Sequence, residues 1–224
     1  MRALVVGAAP EPGREAFYSE LLRDAERVVA ADGGSALALA LGRKPDVAVG
    51  DFDSSPPGTM EALSAAGVRV VGHPSVKDET DLDLAVSVAR ADGAAAVTLT
   101  AAFSARLDHT LAAFGTLLRA SDLLADVQEP GFSAWVAGGR RRVLSLTAPA
   151  GATVSVIAPG GASGVTLEGF AYALTDASLE PMSSLGVSNV TTGEPAIVRV
   201  RGGSVIVIAN AEAGLGRVRL SEER

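Results

Sequence analysis

The sequence predicts an α/β fold: a parallel sheet with helices on both faces, followed by a small antiparallel β-sandwich. Three observations carry this. Strand-like and helix-like segments alternate through the first half, short strands with alternating polarity replace them beyond about residue 127, and glycines punctuate that second stretch. Strand-helix alternation implies right-handed crossovers that cover both faces of a mostly parallel sheet. Short strands separated by glycine turns imply antiparallel pairing.

In chain order, β-branched runs at residues 4–6, 28–30, 47–49, 68–71 and 97–100 read as the parallel strands. Helical patterns at 15–23, 36–41, 59–66, 82–90 and 108–119 fill the gaps, with apolar residues recurring at three and four spacing, as in Leu82, Ala85, Val86 and Ala89. Further strands are expected at 152–157, 165–170, 196–200, 205–208 and 218–220. Gly160-Gly161, Gly164 and Gly202-Gly203 mark turns, and Arg201-Gly202-Gly203-Ser204 reads as a tight hairpin between two strands. The change of pattern, with Pro130-Gly131, sets a boundary near residues 126–130, giving domains 1–127 and 128–224. Trp135, the single tryptophan, is expected in the sandwich core.

Composition narrows the function classes. The chain has 224 residues, 48% of them hydrophobic, and no apolar run approaches the roughly 20 residues that span a bilayer. A soluble, cytoplasmic protein without a signal peptide is expected. Without cysteine there is no disulfide and no thiolate metal site, and two histidines leave little for zinc, so a metal here would be oxygen-ligated. A net charge of -7 argues against a nucleic-acid backbone as partner. Arg140-Arg141-Arg142, the only basic run, reads as decoration at a strand start.

Ligands of open parallel sheets bind beyond the carboxyl ends of the strands, and four predicted strands deliver polar residues there. Asp32-Gly33-Gly34 admits two readings: a turn with Asp32 as helix cap and the glycines at positive φ, or a loop whose N–H groups approach a phosphate or nucleobase. Asp51 and Asp53 flank Phe52, and in an extended segment both carboxylates would point the same way, roughly 6–7 Å apart, a spacing that suits a metal bridge. Thr80-Asp81-Leu82-Asp83 has the shape of a capping box, whereas Asp81 and the upstream Lys77 suit a polyphosphate and its cation at a helix start. Arg106-Leu107-Asp108-His109 precedes the last helix of the first half. Asp108 either caps that helix or orients Arg106 or His109, and Arg106 offers a bidentate fork for phosphate. So many ionised carboxylates beside one lysine want a hard divalent cation, and Mg2+ carrying a polyphosphate fits best.

Taken together, these segments resemble the thiamine pyrophosphokinase family over nearly the whole chain. The family pattern is matched by Asp32-Gly33-Gly34, by Pro45-Asp46 leading to Gly50-Asp51-Phe52-Asp53-Ser54, by Lys77 with Thr80-Asp81, by Arg106 with Asp108-His109, and by Gly186-Val187-Ser188-Asn189. The resemblance implies a Rossmann-like catalytic domain joined to a β-sandwich, in a homodimer with active sites between subunits. It implies transfer of the diphosphoryl group of MgATP to the hydroxyl of thiamine, giving thiamine diphosphate and AMP. In that scheme Asp51, Asp53 and Asp81 serve the metal, and these three with Lys77 and Arg106 form the catalytic set. Asp32, Gly33, Gly34, Ser54, Thr80, Arg106, Asp108 and His109 bind ATP, and Ser188 and Asn189 bind thiamine. Three departures stand out: Ser104-Ala105 replaces a usual Gly-Gly, which would strain a backbone needing positive φ there, Ala113 replaces a frequent asparagine, and Trp135 lies outside the tryptophan motif that stacks thiamine in eukaryotic relatives. The rival readings are a pyrophosphokinase for another alcohol, such as a hydroxymethyl pterin, and a non-catalytic nucleotide-binding module.

Overall fold

Strands β1 (Arg2–Val6), β2 (Arg27–Ala31), β3 (Val47–Gly50), β4 (Arg69–Gly72) and β5 (Ala96–Thr100) pair in parallel in the order β5-β1-β2-β3-β4. Between them run α1 (Glu15–Asp24), α2 (Gly34–Ala40), α3 (Thr59–Ala65) and α4 (Asp81–Ala91), and α5 (Leu107–Arg119) follows β5. They form the first of two compact units, Met1–Leu123 and Leu124–Arg224, into which the chain divides. The computed structural model describes residues 1–53, 55–76, 78–139, 141–210 and 218–221, so Ser54, Lys77 and Arg140 lie outside the described residues.

The sheet's near-continuous Val and Ala runs follow from burial on both faces. On one face Leu4, Val6 and Val28 pack with Tyr18 and Leu22 of α1 and Ala38 of α2. The alternate positions Ala3, Val5 and Val29 are equally buried. Tyr18 and Leu22 are each 1% exposed, and burying side chains of that size contributes about 1.5–3 kcal/mol apiece. In α4 the buried stripe is Leu84, Ala85, Val86 and Ala89. Leu82 turns instead toward a cavity described below.

The second unit is antiparallel. One set of strands runs β6 (Leu124–Glu129), β7 (Phe132–Gly138), β14 (Gly202–Asn210), β9 (Thr153–Ile157) and β12 (Asn189–Val190) in pairing order. The other runs β15 (Val218–Ser221), β8 (Val143–Leu146), β13 (Ala196–Arg199), β10 (Ala162–Glu168) and β11 (Leu174–Leu179). Trp135, Leu144, Leu146, Val156, Leu167 and Val207 share one core. Among the described residues no helix is long and apolar enough to cross a membrane.

Two turn expectations, at residues 201–204 and at Gly164, are corrected. Residues 201–204 do not close a hairpin: β13 pairs with β8 and β10, and Gly202 and Gly203 at the start of β14 stay on β10, opposite Ser163 and Ala162, before the rest of β14 pairs with β7 and β9. The chain passes from β10 to β7 between Gly203 and Ser204, and Gly203 is required because a Cβ would lie 2.4 Å from the Gly161 carbonyl oxygen. Pro130-Gly131 is itself the two-residue turn of the β6-β7 hairpin, with Glu129 opposite Phe132. Gly164 is not a turn but a bulge inside β10, where the register against β11 shifts between Ala162 and Val165.

Candidate active site

A cavity of about 520 Å³ opens at the carboxyl ends of β1, β2 and β5. The chain leaves β1 toward β2 and returns from β4 to β5 on the other side, so the strand order reverses between β1 and β5, where sheets of this kind bind ligands. The lining includes Asp32, Thr80, Asp81, Arg106 and His109, which were picked from sequence, together with Ser104 and the small residues Gly7, Ala8 and Ala9 after β1. These last three were missed. Their signal was a run of minimal side chains just after a strand: a Cβ on Gly7 would lie 2.5 Å from the Ala101 carbonyl oxygen, so the two loops can approach this closely only with glycine there.

Asp32 is nearly buried and itself carries the positive φ, 46°, while Gly33 sits at −58°. Its N–H donates to the Val49 carbonyl (2.8 Å) and its Oδ1 accepts from Ser55 Oγ (3.3 Å), which ties the loop after β3 to the cavity wall. The reading in which the glycines take positive φ is therefore corrected. Gly34 is demanded by packing, because a Cβ there would lie 2.2 Å from the Val6 carbonyl oxygen, whereas one on Gly33 would meet only Ala8, with its Cβ at 3.1 Å.

The capping box of α4 is present. Thr80 Oγ1 accepts from the Asp83 N–H (3.2 Å), and the Asp83 carboxylate accepts from Thr80 N–H and Oγ1. Asp83 also accepts from Thr116 Oγ1 (2.7 Å) and from the Arg119 guanidinium, both on α5. Partial burial pulls its pKa up, but the bonds from Thr116, Arg119 and Thr80 and the Arg119 charge outweigh it and hold the carboxyl below its ordinary value. One side chain thus caps the start of α4 and ties it to the last turn of α5.

Arg106, not Asp108, occupies the N-cap position of α5, with extended φ and ψ and no side-chain cap. Asp108 is bonded to Arg106 instead, 2.6 Å from Nη2 to Oδ2, and His109 Nε2 lies 4.0 Å from the same oxygen. The hydrogen bond from Arg106, then its charge, hold Asp108 below the ordinary carboxylate range and raise Arg106 in return. Ser104 Oγ accepts the Arg106 N–H (3.1 Å) and Thr110 Oγ1 donates to the Ser104 carbonyl (2.9 Å). Neither Ser104 nor Ala105 has positive φ; Ala101 does, at 51°, so the expected strain at the missing Gly-Gly is corrected. Ala113 is 3% exposed, a packing position on α5.

The acidic loop after β3 also differs from expectation. Phe52 has φ 59°, so residues 51–53 turn rather than extend, and Asp51 Oδ1 accepts the Asp53 N–H (3.2 Å). Asp51 and Asp53 do not line the cavity. Among the described residues no three acidic or histidine side chains converge in a group that could hold a metal, so Asp51, Asp53 and Asp81 do not form a ready-made cage. Mutual repulsion of carboxylates without a cation disfavours such a cage. An all-oxygen donor set nonetheless fits Mg2+, which takes one or two carboxylates and completes its shell with phosphate oxygens and water.

In the second unit a short 3-10 turn, Ser184–Gly186, leads into Ser188 and β12. Gly186 packs so tightly that a Cβ would lie 2.2 Å from the Val156 carbonyl oxygen. Ser188 holds a left-handed φ of 56°, and its N–H donates to Ser155 Oγ (3.0 Å). Asn189 is buried, and its side chain is bonded to the backbone of Tyr172: Oδ1 accepts the Tyr172 N–H (3.0 Å) and Nδ2 donates one of its two N–H groups to the Tyr172 carbonyl (2.7 Å). Tyr172 itself is 68% exposed.

Comparison with known proteins agrees with this layout. A family model described as thiamin pyrophosphokinase, catalytic domain, matches residues 18–127, and one described as thiamin pyrophosphokinase, vitamin B1 binding domain, matches residues 143–205. No curated protein sequence matches the chain. Among solved structures the chain is similar to thiamine pyrophosphokinase from Bacillus subtilis, at 21% identity and TM-score 0.79 over 94% of this chain and 99% of that one. It is similar to thiamin pyrophosphokinase from Geobacillus thermodenitrificans, at 26% identity and TM-score 0.78 over 94% and 98%. Thiamin pyrophosphokinase from Candida albicans aligns at 14% identity and TM-score 0.75 over 93% and 88%.

Proposed function

The chain belongs to the thiamin pyrophosphokinase family and is an enzyme that pyrophosphorylates thiamine; on that premise we propose how its residues divide the work. The first unit, taken as a Rossmann-like ATP domain (1–127), receives ATP in the cavity at the β1-β5 reversal. A right-handed return from β4 to β5 puts α4 on the face opposite α1, which gives helices on both faces. The second unit, taken as a β-sandwich (128–224), binds thiamine, and the protein works as a homodimer with active sites between subunits.

The observation that carries this reading is the convergence of Asp32, Thr80, Asp81, Arg106 and His109 on one cavity. Gly33, whose missing side chain would meet Ala8 of the cavity wall, lets the nucleotide approach the backbone beside Asp32. Arg106 takes a phosphate in a bidentate fork, and Asp108 holds that fork in place. Phosphoryl transfer needs chiefly alignment and charge stabilisation, and a carboxylate such as Asp81 is available to accept the proton of the thiamine hydroxyl. Mg2+ would be held by Asp81 with Asp51 or Asp53 and would neutralise the polyphosphate. In this scheme Ser54 contacts ATP and Lys77 stabilises the charge of the transferred group. Ser188 presents polar contacts to thiamine, and the exposed ring of Tyr172 offers a face for a planar cationic heterocycle.

The test is AMP release from MgATP with thiamine as acceptor, run beside a hydroxymethyl pterin. Thiamine-dependent AMP is expected, and none with the pterin. In the same assay Asp53→Asn should lower kcat by ~100-fold, the loss typical of removing a charge-stabilising group. Wild-type turnover in that variant would remove Asp53 from the reaction.

A further inference from the structure

Asn189 sits in the segment that resembles a thiamine contact, yet its geometry gives it a different task. The residue is 2% exposed. Both acceptor positions of Oδ1 are taken, by the N–H of Tyr172 at 3.0 Å and that of Val190 at 2.9 Å, while Nδ2 donates to the Tyr172 carbonyl at 2.7 Å. A primary amide has one carbonyl oxygen with two lone pairs, so nothing remains on Oδ1 for a ligand.

The other end of the contact is a stretch between strands. β10 ends at Glu168 and β11 begins at Leu174, so Tyr172 belongs to neither. The chain beside it is laced to residues 190–192: the Ala171 N–H donates to the Val190 carbonyl (2.8 Å), the Thr192 N–H donates to the Gly169 carbonyl (3.0 Å), and Phe170 bridges Thr191. At Tyr172 the backbone partner runs out and the Asn189 amide takes over, presenting one acceptor and one donor as a neighbouring strand would. The result is an exposed aromatic ring on a backbone hydrogen-bonded through both its N–H and its carbonyl.

We propose that Asn189 is a positioning residue for the acceptor site that acts through Tyr172: its side chain holds the Tyr172 backbone so that the ring meets the acceptor in one orientation. This rests on the thiamine reading given above. An aromatic face fixed in advance binds a planar cation without the cost of ordering the loop, so loss of the clamp weakens acceptor binding and leaves nucleotide binding alone.

The experiment is a double-mutant cycle on the full-length enzyme with Asn189→Ala, Tyr172→Ala and the pair, measuring kcat and KM for thiamine and for ATP. Asn189→Ala should raise the thiamine KM ~10-fold, the scale of losing buried hydrogen bonds, with the ATP KM unchanged. In the Tyr172→Ala background the same change should add less than about twofold, because the two residues form one unit. Full additivity would overturn the proposal, since Asn189 would then act on the acceptor independently. Amide exchange of wild-type Tyr172 without ligand is the second measurement and needs no variant: a protected N–H supports the clamp, and exchange at the rate of an open loop overturns it. If the unaltered enzyme released no AMP with thiamine, the thiamine reading itself would fall, an outcome distinct from additive variants in an active enzyme.

Discussion

Arg106 and Asp108 close a fork on one another at the rim of the cavity, Nη2 to Oδ2 at 2.6 Å and Nε to Oδ1 at 3.4 Å. Both side chains are about two-thirds exposed, so the pair adds little to stability. Its effect is on orientation. A guanidinium already oriented by Asp108 at the start of α5 loses less freedom when its remaining N–H groups bind a phosphate.

Asp108→Asn keeps the shape and removes the charge, so Arg106 should sample other rotamers. The expected outcome is a rise in the ATP KM of ~5-fold with an unchanged melting temperature, the loss being one charge-assisted contact. Steady-state kinetics beside a thermal melt decides it, and an unaltered ATP KM would show that the pair is surface decoration.

Asp83 should be the stability counterpart. It caps α4 and accepts from Thr116 and Arg119 of α5, so Asp83→Ala loses a cap and a partly buried hydrogen bond at once. Urea denaturation at pH 7 should show a loss of about 1–3 kcal/mol. The pH dependence has a definite sign. The folded carboxyl lies below its ordinary value of 3.8, so its contribution is complete above that value and is lost as pH falls through the lowered folded pKa. Between pH 5 and 8 the difference between wild type and variant should stay constant, and it should shrink below about pH 4. A difference that grew on acidification would contradict the assignment.

The parallel half was legible because its signal is local: Val28-Val29-Ala30 and Val47-Ala48-Val49 are buried on both faces and lie between helical patterns. The capping box at Thr80 and Asp83 was legible for the same reason. Less visible were β6 and β7, where Ala125, Ala134 and Ala137 stand at buried strand positions in place of β-branched residues and the strand character comes from cross-strand pairing. The passage from β10 to β7 after Gly203 could not be read, because a turn sequence reports the local bend and not which strand lies beyond it. In the site, residue types were readable and orientation was not. Asp51 and Asp53 depend on a positive φ at Phe52, and the role of Asn189 depends on a backbone 17 residues away.

Gly33 and Gly34 separate two kinds of glycine. A Cβ on Gly34 would lie 2.2 Å from the Val6 carbonyl oxygen and 2.7 Å from that of Gly7, both rigid backbone. Gly34→Ala should cost about 1–3 kcal/mol or more as α2 is forced off β1. On Gly33 the Cβ meets only Ala8, at 3.1 Å, and the backbone is already helical, so Gly33→Ala should fold normally and act instead on the ATP KM. Equal destabilisation by the two substitutions would refute the distinction.

Ser35, next in the same helix, is fully buried and its Oγ has no hydrogen-bond partner among the described residues. Its N–H donates to the Asp32 carbonyl, so the backbone bond survives any side-chain change. A buried hydroxyl without a partner has lost its hydration and gained nothing in return. Ser35→Ala removes that cost and adds helix propensity, and should stabilise the protein by about 0.5–1 kcal/mol without altering kcat. Chemical denaturation measures it directly. Destabilisation beyond about 1 kcal/mol would mean that the hydroxyl is bonded within the folded protein in solution, and would refute the assignment.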